Sequence, residues 1–170
     1  PVYKTLLANK DSCTEDVFNC VIKEAKEPVA IDSTEISLGA LGSIANDTFL
    51  DKVLALYFSK YVLEMDYSFL TTSLVENPKT KIAFWKFFET HYADFRNKVA
   101  MWTLDRLIKS FLPKLISADL YQDASKFFEG KDTTGYTKGL KQGLDSIRYS
   151  LLWSDRSKED VSEWLKAKGF

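Results

Sequence analysis

The chain has 170 residues, 45% of them hydrophobic and 28% charged, which suits one folded domain with a sizeable core and excludes a disordered chain. Lys plus Arg number 23 against 24 Asp plus Glu, so the net charge of −1 gives no general pull toward nucleic acid or anionic lipid. No apolar run reaches the ~20 residues of a membrane span, and neither a membrane nor a nucleic acid is expected as partner.

In chain order the punctuation is that of successive helices. Pro1 to about Lys10 carries a short apolar stripe of Val2, Leu6 and Leu7. Ser12-Cys-Thr-Glu15 has the form of a capping box, in which the serine accepts from an early N–H and the glutamate reaches back. The helix it opens turns Val17, Phe18, Val21, Ile22 and Ala25 inward and stops before Pro28. Asp32-Ser-Thr-Glu35 repeats the pattern ahead of Ile36, Ala40, Leu41 and Ile44. Asn46 or Asp47 caps a stretch with Leu50, Val53, Leu54, Tyr57 and Tyr61 at helical spacing. A helix from about Asp66 buries Tyr67, Leu70 and Leu74, and Asn77-Pro78 is a cap with proline at the first helical position.

The helix beyond is dense in aromatics: Ile82, Trp85, Phe88, Tyr92 and Phe95. Another runs from about Lys98 to Ser110, with Val99, Trp102, Leu107 and Phe111 near its apolar side. Ser117 caps a stretch carrying Leu120, Ala124, Phe127 and Phe128 that ends at Gly130. From about Thr133 a long helix aligns Tyr136, Leu140, Leu144, Ile147 and Leu151. Ser157-Lys-Glu-Asp160 reads as the start of a separate last helix that buries Val161, Trp164 and Leu165.

No period-2 strand flanked by hairpin turns stands out. The expected fold is all-α, nine or ten helices stacked as antiparallel pairs in a HEAT or armadillo-like superhelical array, with a compact bundle as the alternative.

Gly135, Gly139 and Gly143 stand four apart. A phosphate-binding loop needs a preceding strand and, for a P-loop, Gly-Lys-Ser/Thr, and neither is present. Lys138, Lys141, Gln142 and Asp145 exclude a membrane dimer face. Gly139 and Gly143 are therefore expected where a neighbouring helix backbone comes close, at roughly 1 kcal/mol each of lost helix propensity.

Chemistry is thin. His91 is the single histidine, so the two-histidine helical zinc motif cannot form, and no G-x-S-x-G elbow surrounds a serine. Cys13 and Cys20 are read on one helix, ~10 Å apart at 1.5 Å per residue and too far for a disulfide. Both are read as buried, inert thiols, and unbridged thiols favour a reducing compartment. No signal peptide is expected, and a chain opening Pro1-Val2-Tyr3 without Met reads as a piece of a longer protein. No catalytic residue and no metal ligand set is expected. The charged residue that stands out is Arg106, in Met101-Trp-Thr-Leu-Asp-Arg-Leu-Ile-Lys-Ser110. With apolar neighbours on both sides, it is either paired to an acid or aimed into a cavity where it grips a carboxylate.

Several stretches in order resemble one family. Pro1-Val-Tyr, Leu38-Gly-Ala-Leu-Gly-Ser43, and Asn77-Pro-Lys before Phe84-Trp-Lys-Phe-Phe88 are similar to the C-terminal helical domain of the zinc aminopeptidases, which include aminopeptidase N and the puromycin-sensitive enzymes. Lys126 to Tyr136, Gly143-Leu-Asp-Ser-Ile-Arg148, Trp153 and Asp160-Val-Ser-Glu-Trp-Leu165 resemble the tail of the cytosolic, puromycin-sensitive-like branch.

The resemblance implies a helical cap that encloses the substrate chamber of a catalytic domain and contacts peptides entering by their free amine. The zinc motif and the G-x-M-E-N motif of the family lie upstream and outside this chain. No cofactor is thus expected here and zinc is expected in the parent enzyme, with the upstream catalytic domain and peptides as partners. Leu104-Asp-Arg-Leu-Ile108 matches a family stretch whose arginine faces the chamber, which marks Arg106 as a substrate-binding residue. The family has glycine where Asp105 stands, and a carboxylate there is placed to pair with Arg106. Small residues also occupy the positions of Gly139 and Gly143. The family's domain extends further on the N-terminal side, so the first helix should expose a face. The competing reading is a helical-repeat module that binds a protein partner and has no peptidase role.

Overall fold

A computed structural model describes residues 2–30 and 32–169. Among these residues it contains ten α-helices and no strand, the all-helical class the sequence predicts. The helices are α1 (Val2–Ala8), α2 (Glu15–Lys26), α3 (Ser33–Leu41), α4 (Leu50–Leu54), α5 (Tyr67–Glu76), α6 (Pro78–Thr90), α7 (Tyr92–Lys98), α8 (Met101–Phe111), α9 (Ala118–Phe128) and α10 (Thr137–Ala167). Short 3-10 turns at Asp47–Phe49, Ala55–Phe58, Glu64–Asp66 and Leu112–Lys114 join them. Packing runs in series: α1 and α2 on α3, α3 on α5, α5 on α6 and α8, and α8 on α10.

Local chemistry sets the helix ends. Thr14, not Ser12, caps α2, its hydroxyl accepting from Val17 N at 3.3 Å. Ser12 instead donates to Leu6 O at 2.7 Å, satisfying a carbonyl left free at the end of α1. Cys13 therefore precedes α2 rather than sharing a helix with Cys20. Asp32 stands before α3 without a side-chain cap, while Ser33 Oγ accepts from Ala30 N at 3.2 Å. Asn77 caps α6 through Lys79 N at 3.0 Å, and its Nδ2 donates to Gly42 O at 3.2 Å, tying the ends of α3 and α5 together. Ser117 caps α9 through Leu120 N at 3.1 Å, and Gly130 takes a positive φ of 72° just past its end. Pro1, read as part of the first helix, lies outside the described residues; Val2 beside it is 68% exposed.

Three helix expectations are corrected. The aromatic helix is two helices, because His91 (φ −101°, ψ 17°) breaks the run between α6 and α7. Its ring is held against Phe58 and Phe87, with Nδ1 3.2 Å from Asp94. Tyr61 lies beyond the Ala55–Phe58 turn, half exposed with its side chain beside Lys26 and Lys60. The third concerns the C-terminal end. No helix starts at Ser157; α10 runs unbroken to Ala167, and Val161, Trp164 and Leu165 are exposed rather than buried.

The buried side chains form a continuous cluster dominated by rings. Phe88 is central, with Phe111 at 4.8 Å and Phe95 at 5.2 Å between centroids, in tilted arrangements that aromatic quadrupoles favour. Tyr57, fully buried, packs on Tyr67, Phe84 and Phe95 and shares a 2.5 Å hydrogen bond with Thr71. Burial pushes its phenol well above the usual range. This core fixes α5, α6 and α8 against one another, and α5 with α8 carries the candidate site.

Candidate functional site

Arg106 lies on α8, on the side facing the Glu64–Asp66 turn and the start of α5. Helical spacing sets Trp102, Thr103, Arg106 and Leu107 along one edge of α8, and Glu64, Met65, Tyr67 and Ser68 form the opposite wall. The space between them is about 10 Å³, near the size that admits a single water. Glu64 ties the turn to α8: its carboxylate accepts from Ala100 N at 2.9 Å, satisfying a backbone N–H at the start of a helix that has no side-chain cap of its own.

The guanidinium is exposed at the rim and donates through Nη2 to Ser68 Oγ at 2.8 Å. Among the described residues no carboxylate lies within ion-pair distance of it. Asp105, placed by sequence to pair with Arg106, pairs with Lys109 at 2.5 Å instead. Consecutive residues on a helix point about 100° apart, whereas residues four apart share a face. Trp102 and Met65 flank the cleft, both 59% exposed. Trp102 was expected on the inner side of its helix and stands at the surface. At the floor, Thr103 is 4% exposed and its hydroxyl oxygen has no hydrogen-bond partner. Glu64 and burial together raise the Tyr67 phenol, burial being the larger cause. The arrangement is a shallow cleft in which one exposed guanidinium and the Glu64 carboxylate stand between two large apolar side chains.

Glu64, Met65, Ser68 and Thr103 did not stand out in the sequence. Their role depends on a contact between segments more than 30 residues apart, and only the turn that precedes α5 hints at it.

The glycines lie elsewhere, on α10 where it packs against α8 and the Leu112–Lys114 turn. A Cβ built on Gly139 would meet Asp105 Oδ1 at 2.3 Å and Lys109 Cε at 2.9 Å. One on Gly143 would meet Leu112 Cδ2 at 2.7 Å. What faces both positions is side chain, not backbone.

Elsewhere the polar chemistry is sparse. Among the described residues no three His, Cys, Asp or Glu side chains cluster to hold a metal ion. Cys13 is buried and Cys20 exposed, both unbridged. Among the described residues no helix is long and apolar enough to cross a membrane.

The family described as the ERAP1-like C-terminal domain matches residues 1–149, and the chain belongs to it. The chain is also 24% identical over 154 residues to the alanine/arginine aminopeptidase of Saccharomyces cerevisiae, a match covering 89% of this chain and 18% of that protein. It is 22% identical over 155 residues to aminopeptidase 2, mitochondrial, of the same yeast (90% and 16%). A shorter match, 40% identical over 45 residues, is to aminopeptidase 2 of Candida albicans (26% and 5%). The chain spans less than a fifth of the length of these relatives.

Proposed function

We propose that this chain is the C-terminal cap of a zinc-dependent aminopeptidase acting in the cytoplasm. It encloses the substrate chamber as a stacked, HEAT-like helical array and contacts the peptide, while zinc and the hydrolytic groups reside in an upstream catalytic domain. Membership of the ERAP1-like C-terminal domain family and the names of the aligned relatives support the aminopeptidase assignment. Among the described residues no three His, Cys, Asp or Glu side chains gather to hold a metal ion, and the hydrolytic step is assigned to the upstream domain.

The observation that carries the peptide-contact reading is Arg106, a guanidinium held by Ser68 and free of any acidic partner among the described residues. In this role it binds a carboxylate of the peptide away from the scissile bond, and the Met65 and Trp102 side chains cover the adjoining apolar residue. Gly143, facing the buried Leu112, keeps α10 close to the end of α8 and so keeps Arg106 at a fixed height on the wall.

The test is Arg106→Ala in the complete enzyme. KM for peptides carrying a distal carboxylate should rise about ten-fold, the share of binding that one charge-assisted bond supplies. Zinc content and kcat on a small aminoacyl anilide should stay unchanged. Unaltered peptide kinetics with a lower melting temperature would assign Arg106 to structure alone.

A further inference from the structure

The second half of α10 carries an apolar stripe that the rest of the described chain leaves uncovered. Tyr149, Trp153, Val161 and Trp164 are 61%, 69%, 49% and 58% exposed. At 100° per residue, Trp153, Ser157, Val161 and Trp164 fall within a face about 80° wide. It continues the face that, nearer the start of the helix, carries the buried Gly139 and Gly143. The family match ends at residue 149, where this uncovered stretch begins. The stripe alternates large side chains with Ser150, Ser154 and Ser157, giving knobs and holes on a single surface. Arg156, Asp160 and Glu163 line one border of it.

We propose that the stripe pairs with the same stripe of a second copy of this chain, antiparallel, about a two-fold axis between Lys158 and Glu159. A two-fold interface must complement itself, and this surface does so in both shape and charge. In that register Trp153 meets Trp164 of the second copy. Arg156 comes within two residues of both Asp160 and Glu163 of the second copy, and the symmetry axis repeats those pairs. The C-terminal end of the second helix reaches the root of the first. There Ile116, Ser146, Tyr149, Ser150 and Trp153 line an open groove of about 650 Å³. That is room enough for Trp164 and Leu165 of the second copy. From the exposed fractions, and 150–250 Å² per large aromatic side chain, each copy contributes roughly 500 Å², which puts the interface at the small end of specific contacts. Association is therefore reversible and concentration-dependent. None of this rests on the peptidase reading.

Sedimentation equilibrium of the full-length protein at concentrations up to about 100 μM tests it. The native protein should form dimers. Trp164→Glu, at an exposed position, should weaken association at least about ten-fold by placing charge against the indole of Trp153. Arg156→Glu should weaken it about ten-fold, and mixing that variant with the Asp160→Arg/Glu163→Arg copy should restore a mixed dimer. A native protein that stays monomeric overturns the proposal, as does a dimer indifferent to both single variants. Failure of the charge-exchanged pair to reassociate overturns the antiparallel register. A monomer whose Trp153 and Trp164 are shielded from acrylamide assigns the stripe to another segment of the longer chain.

Discussion

Asp123 joins a buried ring to the surface. Its carboxylate accepts from Trp85 Nε1 at 2.9 Å and from Lys86 Nζ at 2.7 Å, and Lys86 also pairs with Glu89. The lysine bond chiefly, then the indole bond, hold the Asp123 carboxyl below the usual carboxylate range. A carboxylate depressed in the folded state adds stability above its unfolded pKa, and that stability fades as pH falls through the folded value. Asp123→Asn should therefore flatten the acid side of the melting curve, read as Tm at successive pH values from about 5 down to 2. The pair is largely exposed, so the expected difference is below ~1 kcal/mol. An acid limb identical to that of the native protein would show that the bond adds nothing beyond the indole's solvation.

At the scale of elements, close approach separates the glycines. Gly42 ends α3 where a Cβ would fall 2.5 Å from Leu74 N, a backbone atom of α5 that cannot swing aside. Gly143 faces the fully buried Leu112, while Gly139 faces Asp105 Oδ1 and the Cε and Cγ of Lys109, partly exposed side chains that can shift toward water. Alanine at each position gains about 1 kcal/mol of helix propensity at most, so the contact decides the sign. Gly42→Ala should cost about 2–3 kcal/mol, Gly143→Ala about 1, and Gly139→Ala about nothing, as urea midpoints would record. A reversed order would mean that α3 and α5 slide apart easily.

The same scale shows what the sequence made readable. Asn77-Pro78 and Ser117 were legible as caps because capping chemistry is local and proline fixes its own φ. Ser157-Lys-Glu-Asp160 carries the same signature and caps nothing. No glycine or proline interrupts residues 144–168, and serine and glutamate also suit an exposed helical face, so the helix continues through them. Trp102 followed an apolar spacing and still faces outward, since periodicity selects a face without saying how much of it a neighbour covers. Arg106 stood out by its neighbours in sequence. Ser68 and Glu64, which position it and its helix, come from a distant turn that periodicity cannot place.

For the whole molecule, α10 divides into a packed half and a free one. Its 31 residues span about 46 Å at 1.5 Å each. The first half is held by α8, α9 and the Leu112–Lys114 turn, and Ile147 is its last buried residue. Removing residues 155–170 should shift Tm of the dilute protein by less than about 2 °C, because the described residues of the lost segment bury no core side chain. Differential scanning calorimetry reads this directly, and a larger drop would show that the free half folds back on the body.

The four tryptophans sit in opposite surroundings: Trp85 is fully enclosed, while Trp102, Trp153 and Trp164 are mostly in water. Native emission is therefore already dominated by hydrated indoles, and denaturation changes the environment of one chromophore in four. A fluorescence melt would understate unfolding and could pass for residual structure. Phenylalanine at the three hydrated positions would leave Trp85 as a single optical reporter of the aromatic core.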